Sequence, residues 1–283
     1  GQQMKFTVIG GGAVGLLLAS YLVQQGDVTI VVRRAAQQET LQNGLTRICG
    51  DEQTTYRVTV TTAIPNDDTQ HIFICTKAYG LVEVIEQLQH VAYRTVSGCQ
   101  NGLAHIELLR TLRNSNACVV EFGAFKKDEA TVVHTGIGRI VIGSLTGGKS
   151  PDVDSSDALP VVYSEQIERI VWRKALLNCF INPLTAIMQV RNGDIIQNES
   201  LRAIVMQLFD ELNEAFPVQM EDVSIQDIIA LCDKTAANYS SMCVDVRDGR
   251  QTEIDEIVGA VMMATTHRLP TLRMLYLQIK SMQ

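Results

Sequence analysis

The sequence predicts an α/β chain in two parts, a doubly wound parallel sheet followed by a second, all-α domain. Three observations carry that prediction. An apolar strand, Lys5-Phe-Thr-Val-Ile9, runs through a glycine-rich turn directly into an apolar helix starting near Ala13. Short β-rich runs then alternate with helical periods as far as about Ser144. From about Ser164 the pattern changes to long helical periods, which places the domains at 1–164 and 165–283. A chain of 283 residues is long enough for two cores.

The first turn is the most informative element. Gly10, Gly12 and Gly15 stand in G-x-G-x-x-G spacing between strand and helix, with a second strand, Val28-Thr-Ile-Val-Val32, at βαβ distance. Gly10 makes the tight turn, Gly12 lets backbone approach a pyrophosphate, and Gly15 lets the helix pack closely on the strand. The N–H groups and positive end of the helix face the phosphates. This is the phosphate grip of a Rossmann-like domain, and it assigns Gly10, Gly11, Gly12, Ala13, Val14 and Gly15 to a dinucleotide cofactor. After the second strand, where an NAD enzyme carries Asp or Glu for the ribose 2′-OH, the chain has Arg33-Arg34. A guanidinium grips a 2′-phosphate that a carboxylate would repel, so NADP(H) is favoured over NAD, with Arg33 the better placed of the two. The alternative is that the arginines merely open a solvated loop.

The remaining elements follow in order. A β-rich stretch is expected near Tyr56 to Thr61, a buried strand at His71 to Thr76 and a helix over Tyr79 to Gln89. A strand at Arg94 to Gly98, a helix at Leu103 to Arg113, and strands near Cys118 to Ala124, Thr131 to His134 and Ile140 to Ser144 complete the sheet region. Thr146 to Asp157 is rich in breakers and reads as a loop. Helices are then expected over Glu165–Gln189, Ser200–Ala215, Ser224–Thr235 and Asp248–Thr265.

Ligands of open parallel sheets bind beyond the carboxyl ends of the strands. Lys77 and Asn101-Gly102 stand just after two of them. Lys77 reads equally as a cofactor or substrate contact and as an exposed lysine opening a helix; Asn101-Gly102 reads as a binding turn or as a turn alone. On the helix Trp172 to Ala186, Lys174, Asn178 and Asn182 recur at i, i+4 and i+8 amid Leu176, Leu177, Cys179, Phe180 and Ile181. Polar groups in such company need partners, either a buried hydrogen-bond ladder or a site in which the lysine moves a proton. Pro183 leaves the Cys179 carbonyl without its helical donor, so a kink or a free acceptor is expected there. A third group, Asn238-Tyr-Ser-Ser241 with Thr252-Glu253, suits a carboxylate and a hydroxyl. Read alone, Ser240-Ser241 is also an ordinary helix cap and Glu253 a surface residue.

Composition excludes several classes. The net charge of −7, with no basic run or basic-aromatic cluster, argues against nucleic acid. No segment approaches the roughly 20 apolar residues of a membrane span, and Gly1 to Gln3 read as an expression remnant, so a cytoplasmic protein is expected. Seven cysteines without C-x-x-C spacing, lying mostly in apolar runs, read as reduced thiols, and five scattered histidines give no metal cluster.

Taken together, Gly10-Gly-Gly-Ala-Val-Gly15, Lys77, Gln100-Asn-Gly102, Trp172-Arg-Lys174, Asn178-Cys-Phe-Ile-Asn-Pro-Leu-Thr-Ala186, Asn192-Gly193, Ser240-Ser-Met242 and Thr252-Glu-Ile-Asp255 resemble the ketopantoate reductase (2-dehydropantoate 2-reductase) family. The likeness spans nearly the whole chain. The resemblance implies an NADPH-dependent reduction of the C2 carbonyl of 2-dehydropantoate to (R)-pantoate, in pantothenate and coenzyme A biosynthesis. It implies Lys174 as the general acid, Asn101, Asn178, Asn182, Asn192 and Ser241 around the substrate, and Glu253 between substrate and cofactor. The partner implied is a small 2-keto acid, and a homodimer is compatible with the family. Two readings stay open beside it: a same-fold reductase of another branched 2-keto acid, and an NADP-binding regulatory protein without chemistry.

Overall fold

The computed structural model describes residues 3–283, and of the expected remnant Gly1 to Gln3 the first two residues lie outside them. The chain divides into two compact units. One comprises residues up to Gln100 together with His105–Glu168; the other comprises Asn101–Ala104 and Arg169–Gln283. The α/β class with a helical second part is the class expected.

The first unit begins with strand β1 (Met4–Ile9), helix α1 (Ala13–Leu22), β2 (Gly26–Val31), α2 (Ala35–Leu41), β3 (Leu45–Cys49), β4 (Glu52–Tyr56) and β5 (Thr59–Thr61). It continues with β6 (Gln70–Ile74), α3 (Leu81–Leu88), β7 (Thr95–Gly98), α4 (His105–Leu109), β8 (Ser115–Val120), β9 (Gly123–Asp128), β10 (Thr131–Gly136), β11 (Ile140–Ser144) and β12 (Val161–Tyr163). Eight strands form one sheet in the order β12-β11-β8-β7-β6-β1-β2-β5. All pairs are parallel except β8 with β11. The central strands are buried on both faces: Phe6, Val8, Ile30 and Phe73 pack with Leu16, Leu17, Leu18 and Leu22 of α1.

A second, four-stranded sheet, β4-β3-β10-β9, was not legible in the sequence. It accounts for two corrections. The stretch Tyr56 to Thr61 divides between the sheets, β4 ending at Tyr56 and β5 opening at Thr59. The single strand expected over Cys118 to Ala124 is two, because β8 pairs with β11 in one sheet and β9 with β10 in the other. The small sheet also explains why α1 has no polar face: every residue from Gly15 to Leu22 is buried. Tyr21 and His134 Nδ1 share a hydrogen bond of 2.6 Å, and the Arg47 guanidinium lies 3.6 Å from the Tyr21 ring centroid while donating to Ser20 O at 2.8 Å. A cation on a last-turn carbonyl complements the negative end of α1.

The second unit contains α5 (Ile167–Met188), α6 (Asp194–Gln197), α7 (Glu199–Ala215), α8 (Ile225–Lys234), α9 (Ser241–Arg247), a π-helical turn at Asp255–Gly259, α10 (Ala260–Met263) and α11 (Pro270–Ser281). Its core gathers Phe180, Leu184, Leu208, Ile228, Ile257 and Leu272. Asn198 caps α7 by accepting from Ser200 and Leu201 N–H groups, and Ser224 with Asp227 forms a capping box on α8. Helix α5 runs through Pro183, with Thr185 Oγ1 donating to Ile181 O at 2.7 Å. The helix expected over Asp248–Thr265 is overturned at its start. Chain reversal at Gly249, φ 71°, ends α9, Arg250 N returns to Asp245 O, and helical geometry resumes only at Ile254. Helix α11 was not anticipated. It has no cap of its own; Glu211 supplies one by accepting from Thr271 N at 2.8 Å and Leu272 N at 3.0 Å.

All seven cysteines are free thiols, five of them buried, and burial pushes Cys179 up to about 12. Among the described residues no helix is long and apolar enough to cross a membrane.

Candidate active site

In the first unit the glycine turn is built from close approaches. Gly10 has a φ of 116°, and Gly15 packs so tightly that a Cβ on it would fall onto the Gly10 carbonyl oxygen. Gly12, the N-cap of α1, has open space where a Cβ would stand, and no side chain caps the helix. Helices α7, α8 and α9 all carry side-chain caps. The uncapped N–H groups of α1, with no acidic residue in the first turn, fit a pyrophosphate. Gln37, buried and not flagged by the sequence, fixes the turn by donating to Gly11 O at 2.8 Å and Glu129 O at 3.2 Å.

The two arginines after β2 have different surroundings. Arg34 is ion-paired with Glu129, which also holds Lys126 at 3.4 Å. Arg33 is exposed and has no ion-pair partner among the described residues. Its guanidinium lies over Gly80. Lys77 is exposed at the start of the short turn Ala78–Gly80 after β6. Gln100 donates through Nε2 to Ile74 O at 3.1 Å and Thr76 O at 3.0 Å, tying the end of β7 to the end of β6.

In the second unit three predicted residues form one chain of hydrogen bonds. Lys174 Nζ donates to Asn101 Oδ1 at 3.0 Å, and Asn101 Nδ2 donates to Glu253 Oε1 at 3.2 Å. The placement of Asn101 follows from its neighbours. Gly102 has a φ of 85°, Leu103 N donates to Glu256 O at 3.0 Å, and a Cβ on Gly102 would strike that carbonyl, 2.7 Å from its carbon. This segment therefore belongs to the second unit although it follows β7 directly.

Glu253 stands just before the π-helical turn, a local irregularity of the kind that re-aims side chains at functional sites. Asp255 anchors that turn to α11, accepting from Tyr276 Oη at 2.6 Å and Lys280 Nζ at 2.9 Å. Burial works against the Asp255 carboxylate, but these two donors outweigh it and hold its pKa below the ordinary value. Burial pushes the neighbouring Glu256 carboxyl up, reinforced by the charges of Asp255 and Glu253.

The other predicted residues have separate places. Asn178, half-buried, lies one turn along α5 from Lys174, and Asn182, buried, one turn further. Ser240 is the buried hydroxyl of its pair: it meets Thr185 Oγ1 at 2.7 Å and caps α9 by accepting from Cys243 N, whereas Ser241 is exposed. Asn192 donates through Nδ2 to Thr235 Oγ1 at 3.0 Å and through its backbone to the carbonyl of Asn238 at 2.9 Å. Its Oδ1 is buried and has no partner among the described residues. Asn238 itself is exposed.

Two profiles described as ketopantoate reductase PanE/ApbA, and its C-terminal part, match residues 6–147 and 166–283. The chain belongs to the ketopantoate reductase family. A 2-dehydropantoate 2-reductase of Bacillus subtilis is 32% identical over 90% of this chain and 89% of its own length. The enzyme of that name from Listeria innocua is 30% identical over 99% and 97%. The crystal structure of a probable 2-dehydropantoate 2-reductase from Bacillus subtilis superposes with a TM-score of 0.89 at 31% identity, covering 99% of this chain and all (100%) of that one. D-mandelate dehydrogenase, solved with NADH and anilino(oxo)acetate, superposes with a TM-score of 0.84 at 20% identity over 99% and 98% of the chains, a likeness of fold alone.

Proposed function

We propose that the chain reduces 2-dehydropantoate to (R)-pantoate with NADPH, Lys174 acting as the general acid. The observation that carries this reading is the Lys174–Asn101–Glu253 chain of hydrogen bonds, which fixes an ammonium by an amide that a carboxylate in turn orients. Bound NADPH supplies the hydride that adds to C2. As the carbonyl oxygen gains charge, Lys174 stabilises it and donates a proton, leaving the amine to be reprotonated from solvent. Asn101 holds the Nζ in one direction, and Glu253 keeps the Asn101 amide from flipping because its carboxylate accepts only from the NH2 end. Asn178 and Asn182 line the same helix stripe and orient the substrate, and Ser241 with Asn238 receives its carboxylate. Asn192 acts by holding the loop that carries Asn238.

The first unit fits the cofactor. Uncapped N–H groups at Gly12–Gly15 take the pyrophosphate, the open side of Gly12 leaves room for it, and Arg33 takes the 2′-phosphate. Lys77 adds positive charge at the end of β6. A homodimer is included in the reading because Met274 (64% exposed) and Leu277 (51%) stand side by side on α11. Light scattering that gives the mass of one chain, 31.2 kDa, would remove it.

The test is oxidation of NADPH, and separately NADH, with 2-dehydropantoate and a panel of related 2-keto acids at equal concentration. Selective turnover of NADPH with 2-dehydropantoate is expected. Turnover with a different keto acid would change the substrate, and no oxidation by folded protein that binds NADPH would refute the enzymatic reading.

A further inference from the structure

Gly80 ends the turn Ala78–Gly80 and is the N-cap of α3. Its φ of −96° and ψ of −4° are right-handed values open to any residue, and its N–H bonds Lys77 O at 3.0 Å, so backbone geometry does not require glycine there. Space does. A Cβ built on Gly80 would fall onto Nη2 of Arg33 and lie 3.4 Å from Arg33 Cζ, the next neighbour being Thr76 Cβ at 3.8 Å. The guanidinium occupies the volume that a side chain at this position would claim.

We propose that Gly80 is a specificity-determining residue, its missing side chain forming the seat that holds Arg33 for the 2′-phosphate of NADPH. The inference rests on the NADPH reading above. Arg33 has no carboxylate among the described residues to set its direction, whereas Arg34 is committed to Glu129. A long exposed side chain without such an anchor loses rotamer freedom on gripping a ligand, and a surface that already positions it reduces that loss. A cation resting at the N-terminal end of α3 gains nothing from the helix dipole, and Glu83 in the first turn offsets the pull of that dipole on an arriving anion, so the attraction for a phosphate comes from the Arg33 guanidinium.

An added methyl meets the far end of a flexible exposed side chain, so it displaces the guanidinium rather than strains the fold. Titration calorimetry with 2′,5′-ADP and 5′-AMP reads this directly in wild type, Gly80→Ala, Arg33→Ala and the double variant. Gly80→Ala should weaken 2′,5′-ADP about tenfold and 5′-AMP less than about twofold, since only the paired phosphate contacts are disturbed. In the Arg33→Ala background the same substitution should have no further effect, because the atom it displaces is gone. A melting temperature close to wild type separates this from misfolding. If Arg33→Ala loses the discrimination but Gly80→Ala keeps it, the seat is refuted and the NADPH reading survives. If Arg33→Ala binds both probes as wild type does, both fall. Equal weakening of both probes by Gly80→Ala in either background also refutes the seat.

Discussion

Removing the Asn101 side chain tests the geometry of the proposed acid most sharply, because one amide serves both charged groups. Asn101→Ala deletes the acceptor 3.0 Å from Lys174 Nζ and the donor 3.2 Å from Glu253 Oε1. Hydrogen bonds to charged groups are worth roughly 1.5–3 kcal/mol each. Lys174 and Glu253 are only half-buried, so water replaces part of both, leaving a net loss of about 1.5–2.5 kcal/mol. If that loss falls on the transition state, kcat drops roughly 10–70-fold, at about 1.4 kcal/mol per decade. Asn101→Asp separates the two bonds. It retains an acceptor for Lys174 but puts a second carboxylate oxygen about 3.2 Å from Glu253, a repulsion of about 5 kcal/mol at an effective dielectric of 20 before screening and proton uptake reduce it. It should therefore be at least as impaired as Asn101→Ala and recover as pH falls. Steady-state kinetics between pH 5 and 9 decide the matter. A kcat within about threefold of wild type for both variants would refute the relay.

The glycine turn separates folding from binding. Gly15→Ala drives a methyl into the Gly10 carbonyl and should cost about 2 kcal/mol or more in urea unfolding, whereas Gly12→Ala meets nothing within 4 Å and should keep the fold while weakening NADPH. Equal stability of the two variants would contradict the packing. Acid sensitivity has an identifiable contributor in Asp67. Hydrogen bonds from the Thr69 side chain and backbone, then from Lys5, hold its carboxyl at about 2 against an ordinary 3.8. A depressed carboxyl stabilises the fold fully above the unfolded pKa and loses that contribution as pH falls from about 4 towards 2. The stability difference between wild type and Asp67→Asn should accordingly be larger at pH 5.5 than at pH 2.5; urea midpoints differing equally at both would exclude the linkage.

What was legible in the sequence was what local chemistry dictates. The strand, Gly10 to Gly15 and the helix form a unit whose glycines answer to contacts a few residues away, and the apolar setting of Lys174, Asn178 and Asn182 marked a stripe on one helix. Asn101-Gly102 could be read as a turn but not as a partner of Glu253, since that link depends on Glu256 O receiving Leu103 N across a separation in sequence no period reveals. The small sheet was hidden for the same reason: its strands come from two distant segments, and β8 and β9, with only Glu121 and Phe122 between them, pair in different sheets. Helix α11 carries no cap signal because Glu211 of α7 supplies its cap. The helix expected over Asp248–Thr265 was started too early because an apolar period was weighed above Gly249, whose left-handed φ ends α9. Gln37 and Gly80 had no signature at all, one acting through a carbonyl and the other through an absent side chain.

If Lys174 donates the proton in an NADPH-dependent reduction of 2-dehydropantoate, its loss must show in the rate of NADPH oxidation with that substrate, measured for wild type and Lys174→Ala, each shown folded by its melting curve. Wild type should turn over, and the folded variant should lose at least about 100-fold in kcat, the range expected on losing a general acid. A folded variant with near-normal kcat would contradict that role.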